Sequence, residues 1–171
     1  MLSKKVCLLG DFAVGKTNLV RRFVYNLFTD RYISASGVKV SCKTVVIPHA
    51  HQPVELTMML WDLAASEEFS RVQASYLRGA AGAVLVCDLT RPQTLDSLRS
   101  YADNLLEANP GAQLVLAANK RDLVDRQQLT PEQIETVAAS LKAAYYLSSA
   151  KTGEEVESLF RHLGRLLVAS S

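Results

Sequence analysis

Apolar positions in this chain fall into short unbroken runs, alternating with stretches where they recur every three or four residues. Val6-Cys7-Leu8-Leu9 lies between Lys5 and Gly10 and predicts a buried strand. Residues 16–26 read as a helix, with Leu19, Val20, Phe23 and then Leu27 on one face. Residues 28–37 carry no apolar periodicity and are expected to form a loop. Residues 38–47 alternate as a strand, and Pro48-His49-Ala50-His51-Gln52-Pro53 reads as a polar connector rather than a metal site. Residues 54–61 predict the next strand, ending on Asp62. Residues 82–87 and 112–117 are largely apolar, as strands covered on both faces are. Amphipathic segments over 94–108, 131–141 and 154–168 predict helices. Thr130-Pro131-Glu132-Gln133 supplies an N-cap, a proline at the first helical position and a Gln three after the cap. Strands alternating with helices through short loops predict an α/β fold: a doubly wound, mostly parallel six-stranded sheet with helices on both faces.

Composition narrows the function classes. The 171 residues suit one domain, and no repeat or linker divides residues 1–171. A net charge of +2 is too small to argue for nucleic acid or an anionic membrane as partner. Cys7, Cys42 and Cys87 stand in β-like runs without metal-ligand spacing, so buried reduced thiols are expected. There is no signal-peptide run after Met1, no apolar stretch long enough to span a bilayer and no cysteine in the tail to prenylate. The expectation is a cytoplasmic protein without a membrane anchor in this chain.

Gly10-Asp11-Phe12-Ala13-Val14-Gly15-Lys16-Thr17 fits the phosphate-loop pattern, and it follows a strand and opens a helix, as that pattern requires. Its backbone can fold into a nest whose amides, Ala13 to Thr17, face β-phosphate oxygens, aided by the positive end of the helix. Lys16 then places a mobile cation between β- and γ-phosphates, and Thr17 offers a hydroxyl to Mg²⁺. Chance gives this pattern in roughly one chain in 250 of this length. Asn119-Lys120-Arg121-Asp122 follows an apolar run ending at Ala118. A carboxylate there can accept from N1–H and the exocyclic amine of guanine, whereas adenine offers a ring acceptor and lacks the 2-amino group. Ser148-Ser149-Ala150-Lys151 precedes a helix, and the Ala150 amide could donate to guanine O6.

Together these motifs resemble those of a Ras-superfamily small GTPase, nearest in texture to the Rab branch, over residues 5 to about 168. Matching stretches include Tyr32-Ile33-Ser34-Ala35-Ser36-Gly37-Val38, Trp61-Asp62-Leu63-Ala64-Ala65-Ser66-Glu67-Glu68-Phe69 and Tyr76-Leu77-Arg78-Gly79-Ala80-Ala81-Gly82-Ala83. The resemblance implies a P-loop G domain binding GTP or GDP with Mg²⁺. It implies nucleotide contacts from Ala13, Val14, Gly15, Lys16, Thr17, Asn18, Phe28, Asn119, Lys120, Asp122, Ser149, Ala150 and Lys151. Phe28 should pack edge-on to the base, Lys120 should cover its other face, and Asp62 should hold Mg²⁺ through a water. Effector or regulator proteins should be met through residues 28–40 and 62–78.

Departures gather at the γ-phosphate. Ala35 stands where the family has a metal-ligating Thr, so only Ser34 or Ser36 could offer a hydroxyl. Ala65 keeps the amide of a family Gly but narrows its conformations, and Ser66 replaces the Gln that orients the attacking water. Phe12 either blocks the approach of an activating arginine or packs against switch II. With Lys16 and Ser66 as the catalytic candidates, the resemblance implies slow intrinsic GTP hydrolysis. The alternative is a pseudo-GTPase that holds nucleotide without useful turnover. An unrelated phosphate-loop enzyme such as a nucleotide kinase is disfavoured by Asn119 and Asp122.

Overall fold

The computed structural model describes residues 1–29, 38–63 and 73–171. Its elements run β1 (Leu2–Leu9), α1 (Lys16–Tyr25), β2 (Val38–His49), β3 (Gln52–Leu63), α2 (Gln73–Leu77), β4 (Gly82–Asp88), α3 (Gln93–Asp96), α4 (Leu98–Ala108), β5 (Gln113–Asn119), a 3₁₀ turn (Val124–Arg126), α5 (Pro131–Ser140), β6 (Ala144–Leu147) and α6 (Val156–Ala169). The strands form one six-stranded sheet ordered β2-β3-β1-β4-β5-β6. Only the β2–β3 pair is antiparallel; β1–β3, β1–β4, β4–β5 and β5–β6 are parallel. The expected doubly wound α/β architecture is therefore present.

The buried stretches of the central strands, residues 6–9, 82–87 and 114–118, are apolar because their side chains alternate between two covered faces. Val6 and Leu8 of β1, Val84 and Val86 of β4, and Val115 and Ala117 of β5 pack under α1 and α6. Cys7 and Leu9, Leu85 and Cys87, and Leu114 and Leu116 pack on the opposite face with Leu98, Ala102 and Leu105 of α4 and Ile134 and Ala138 of α5. Phe23 of α1 stacks on Phe160 of α6, with ring centroids 4.2 Å apart.

Four expectations are corrected. Strands β2 and β3 run through Pro48 and Pro53, which face each other in the register, so the connector shrinks to Ala50 and His51. Pro48 lies on an edge strand, and Pro53 lies beyond the stretch of β3 that pairs with β1, so each has an unpaired side that tolerates a missing N–H. The single helix expected over 94–108 is two, α3 and α4, parted at Ser97. Helix α1 stops at Tyr25 because Asn26 turns left-handed, leaving Leu27 half exposed. Cys42 is exposed on β2, whereas Cys7 and Cys87 are buried, and burial pushes their thiols up to about 11 and about 12. The capping box at Thr130 forms as the sequence predicts, with Gln133 and Thr130 exchanging backbone-to-side-chain bonds.

Candidate nucleotide site

Strands β1, β3, β4, β5 and β6 are mutually parallel, so their carboxyl ends meet along one edge, where open α/β sheets bind ligands. The phosphate-loop motif leaves β1 at that edge. Asp62 comes near the end of β3, Asp88 ends β4, Asn119 ends β5 and Ser148 follows β6.

The loop is shaped from outside. Five consecutive carbonyls each accept a side-chain hydrogen bond. Lys16 Nζ donates to Gly10 O at 2.8 Å and Asp11 O at 3.1 Å. Arg91 Nη2 donates to Phe12 O at 2.8 Å, Lys120 Nζ to Ala13 O at 2.9 Å and Asn119 Nδ2 to Val14 O at 3.0 Å. With these carbonyls held by fixed donors, the peptide planes keep one orientation, which is how a backbone nest is kept open for an anion. Two glycines are needed for it. A Cβ on Gly10 would meet Val86 O at 2.3 Å, and one on Gly15, at φ +107°, would meet Asn119 Nδ2 at 2.3 Å. Ala13 and Lys120 also take left-handed backbone, at φ 61° and 73°, a cost borne where the geometry is over-determined.

Lys16 is buried, and that burial lowers its pKa to about 8 despite the nearby Asp62 and Asp11 carboxylates. Rather than lying mobile, its ammonium is held by two loop carbonyls. Thr17 Oγ1 donates to Asp62 Oδ2 at 2.5 Å, bringing together the two residues predicted to serve a metal. Both are hard oxygen donors, the set that Mg²⁺ selects. Among the described residues there is no cluster of three or more His, Cys, Asp or Glu side chains. A Thr, one carboxylate and phosphate oxygens suit an ion held mostly by its substrate.

The base motif is assembled with the loop. Asn119 Oδ1 accepts from the Ala150 amide at 3.2 Å and from Ser148 Oγ at 3.3 Å, while its Nδ2 holds Val14. Ser149 Oγ donates to Asp122 Oδ1 at 2.7 Å, fixing the carboxylate predicted to read guanine. Lys120 Nζ also pairs with Asp88 Oδ2 at 2.8 Å. Asn18 exchanges bonds with the Thr29 backbone, at 3.0 and 3.3 Å, and so anchors the chain beside Phe28, which packs partly buried against the core. Lys151 contributes its carbonyl, which accepts from Arg22.

Several participants carry no sequence motif. Asp88 gathers Thr90, Arg91 and Lys120; burial alone would raise its pKa, but the bonds from Lys120 and Thr90 hold it below the usual carboxylate range. Asp11 accepts from Ser97 Oγ at 2.7 Å and Tyr101 OH at 3.0 Å, and burial followed by that carboxylate raises the phenol's pKa. Phe12 is 53% exposed. Ser34, Ala35, Ser36, Ala65 and Ser66 lie outside the described residues, as does much of the surface over 28–40 and 62–78.

The sequence model of the Ras family matches residues 5–169. The Ras-related protein SEC4 of Saccharomyces cerevisiae is 35% identical over 164 residues, covering 95% of this chain and 74% of that protein. The Ras-related protein Rab-13 of Rattus norvegicus is 32% identical over 162 residues, 94% of this chain and 78% of its own length. Ras-related protein Rab-8A of Gallus gallus is likewise 32% identical, over 94% of this chain and 76% of its own.

Proposed function

The chain belongs to the Ras family as a Rab-like, GTP-binding small GTPase, and on that premise we propose a tight nucleotide holder with slow hydrolysis. The observation that carries this reading is the set of three consecutive loop carbonyls, of Phe12, Ala13 and Val14, held by side chains from outside the loop. Two of those side chains, Asn119 and Lys120, belong to the base motif, so the grips on phosphate and base form one rigid unit.

In this reading the amides of Ala13 to Thr17 meet the β-phosphate, and Lys16 leaves its carbonyls to lie between β- and γ-phosphates. Asp122, oriented by Ser149, accepts from N1–H and the 2-amino group of guanine. The Ala150 amide serves O6, and Phe28 and Lys120 flank the ring. Thr17 would ligate Mg²⁺ and Asp62 would hold it through water; bound there, the ion would supply positive charge against the phosphate chain. Effector or regulator proteins meet residues 28–40 and 62–78, and the protein works in the cytoplasm as one G domain.

Turnover is slow because Ser66 cannot span the distance that a Gln covers to orient water, Ala65 restricts a backbone that must move, and Ala35 removes a metal-ligating hydroxyl. The same three residues favour the second reading, a pseudo-GTPase. Single-turnover GTP hydrolysis on the purified chain separates the two. A rate above buffer supports the slow GTPase, and one equal to buffer supports the pseudo-GTPase. Ala65→Gly combined with Ser66→Gln is expected to raise the rate on the order of 10²-fold, the scale on which positioning a reacting group counts. No increase would place the defect at Ala35.

A further inference from the structure

One basic side chain outside every motif joins the two halves of the site from behind. Arg22 lies on α1 six residues after Lys16, about 9 Å along the helix at 1.5 Å per residue. Its Nε donates to Ala150 O at 2.8 Å and its Nη2 to Lys151 O at 2.5 Å. Its Nη1 donates to Asn26 Oδ1 at 2.9 Å, and Asn26 is the left-handed cap of the same helix, whose own N–H returns to Arg22 O. The planar fork thus spans two successive carbonyls while its third arm is braced on α1, a geometry that an ammonium cannot copy. Ala150 is buried, and its carbonyl takes its hydrogen bond from Arg22 Nε. The loop is held at its other end by Ser149, bound to Asp122 and capped by the Thr152 amide at 3.0 Å. Gly153, at φ +88°, turns the loop back beside the Arg22 side chain in a left-handed backbone that favours glycine.

We propose that Arg22 is a positioning residue that couples the phosphate helix to the guanine-reading loop and thereby sets how slowly guanine nucleotide leaves. The inference rests on the nucleotide reading above. Arg22 touches no nucleotide; it fixes the two peptides that directly follow the Ala150 amide, the one that meets O6. Adenine carries an amine at that position and gains nothing from the amide. Loss of the clasp must therefore weaken guanine nucleotides selectively.

The test compares release of fluorescent GDP and equilibrium affinity for ADP in the wild-type chain, Arg22→Ala and Arg22→Lys, all with excess Mg²⁺. Arg22→Ala is expected to release GDP about tenfold faster, the scale of one net charge-assisted hydrogen bond, with ADP affinity unchanged. Arg22→Lys keeps one of the two carbonyl contacts and should fall between. GDP release at the wild-type rate overturns the proposal, and so does an equal loss for GDP and ADP, which would mark general loosening of the fold. If Arg22→Ala fails to fold by circular dichroism, Arg22→Lys decides: wild-type release from it overturns the coupling. A wild-type chain that retains no GDP would instead defeat the underlying nucleotide reading.

Discussion

At the scale of single residues, Lys16 is a buried charge kept at a cost to the stability of the fold. Its ammonium is buried with two backbone carbonyls in place of water, and burial brings its pKa from 10.5 to about 8. At pH 7 it is still charged, so holding that charge costs on the order of 3 kcal/mol of nucleotide-free stability. A lysine whose folded pKa lies below its unfolded value weakens the fold while charged, and the deficit disappears as pH rises from about 8 toward 10.5. Lys16→Met is therefore expected to raise the melting temperature of nucleotide-free protein at pH 7, with the gain over wild type shrinking between pH 8 and 10. The same variant should lose nucleotide affinity. A lower melting temperature at pH 7 would show that the two carbonyl contacts outweigh the burial cost. The placement of Lys16, Thr17, Asn119 and Asp122 near the carboxyl edge of the sheet was legible in the sequence because each follows an apolar strand run in a compact motif. Arg91, Asp11 and Arg22 were not, since their partners lie 79, 86 to 90 and 128 to 129 positions away and leave no local signature.

At the scale of elements, the periodicities gave strand and helix identity but not the places where tertiary contacts override them. The helical pattern over 94–108 runs on without a visible break, yet the structure divides it at Ser97, whose hydroxyl turns to Asp11. Tyr101, one turn later on α4, gives Asp11 its second partner. These bonds fasten the first loop residue after Gly10 to the α3–α4 junction and to α4, while Arg91, just before α3, fastens the next, so this stretch acts as an outer wall of the phosphate loop. Tyr101→Phe removes one of the two bonds without disturbing the apolar face formed by Leu98, Ala102 and Leu105. It should leave helical circular dichroism unchanged and speed GDP release by roughly two- to tenfold, the range for one hydrogen bond of about 0.5–1.5 kcal/mol. Release at the wild-type rate would mean that Ser97 alone holds the loop. The prolines of the β2–β3 hairpin make the complementary point. Pro48 and Pro53 look like strand breakers along the chain and become tolerable only because each has an open side in the sheet.

At the scale of the whole molecule, the phosphate loop and the base motif are separated by more than a hundred residues and are joined by strand order. β1 and β5 flank β4, which places the end of β5 within reach of the loop after β1. Asn119 completes the junction with one amide, its oxygen on the Ala150 amide and its nitrogen on Val14. Specificity and affinity are thereby built into one framework but rest on different atoms. Among the described residues the Asp122 carboxylate is bound through Ser149, and the loop carbonyls take their hydrogen bonds from other side chains. Asp122→Asn should accordingly leave the phosphate grip intact while exchanging one acceptor oxygen for a donor that opposes N1–H and the 2-amino group. The expected result is a fall in GDP affinity toward that for ADP, erasing a discrimination on the order of 10⁴ that a site built around substrate N–H groups can reach. Competition of GDP and ADP for the purified variant measures it. A variant that kept its preference for GDP would mean that the base is read by Asn119 and the Ala150 amide without the carboxylate.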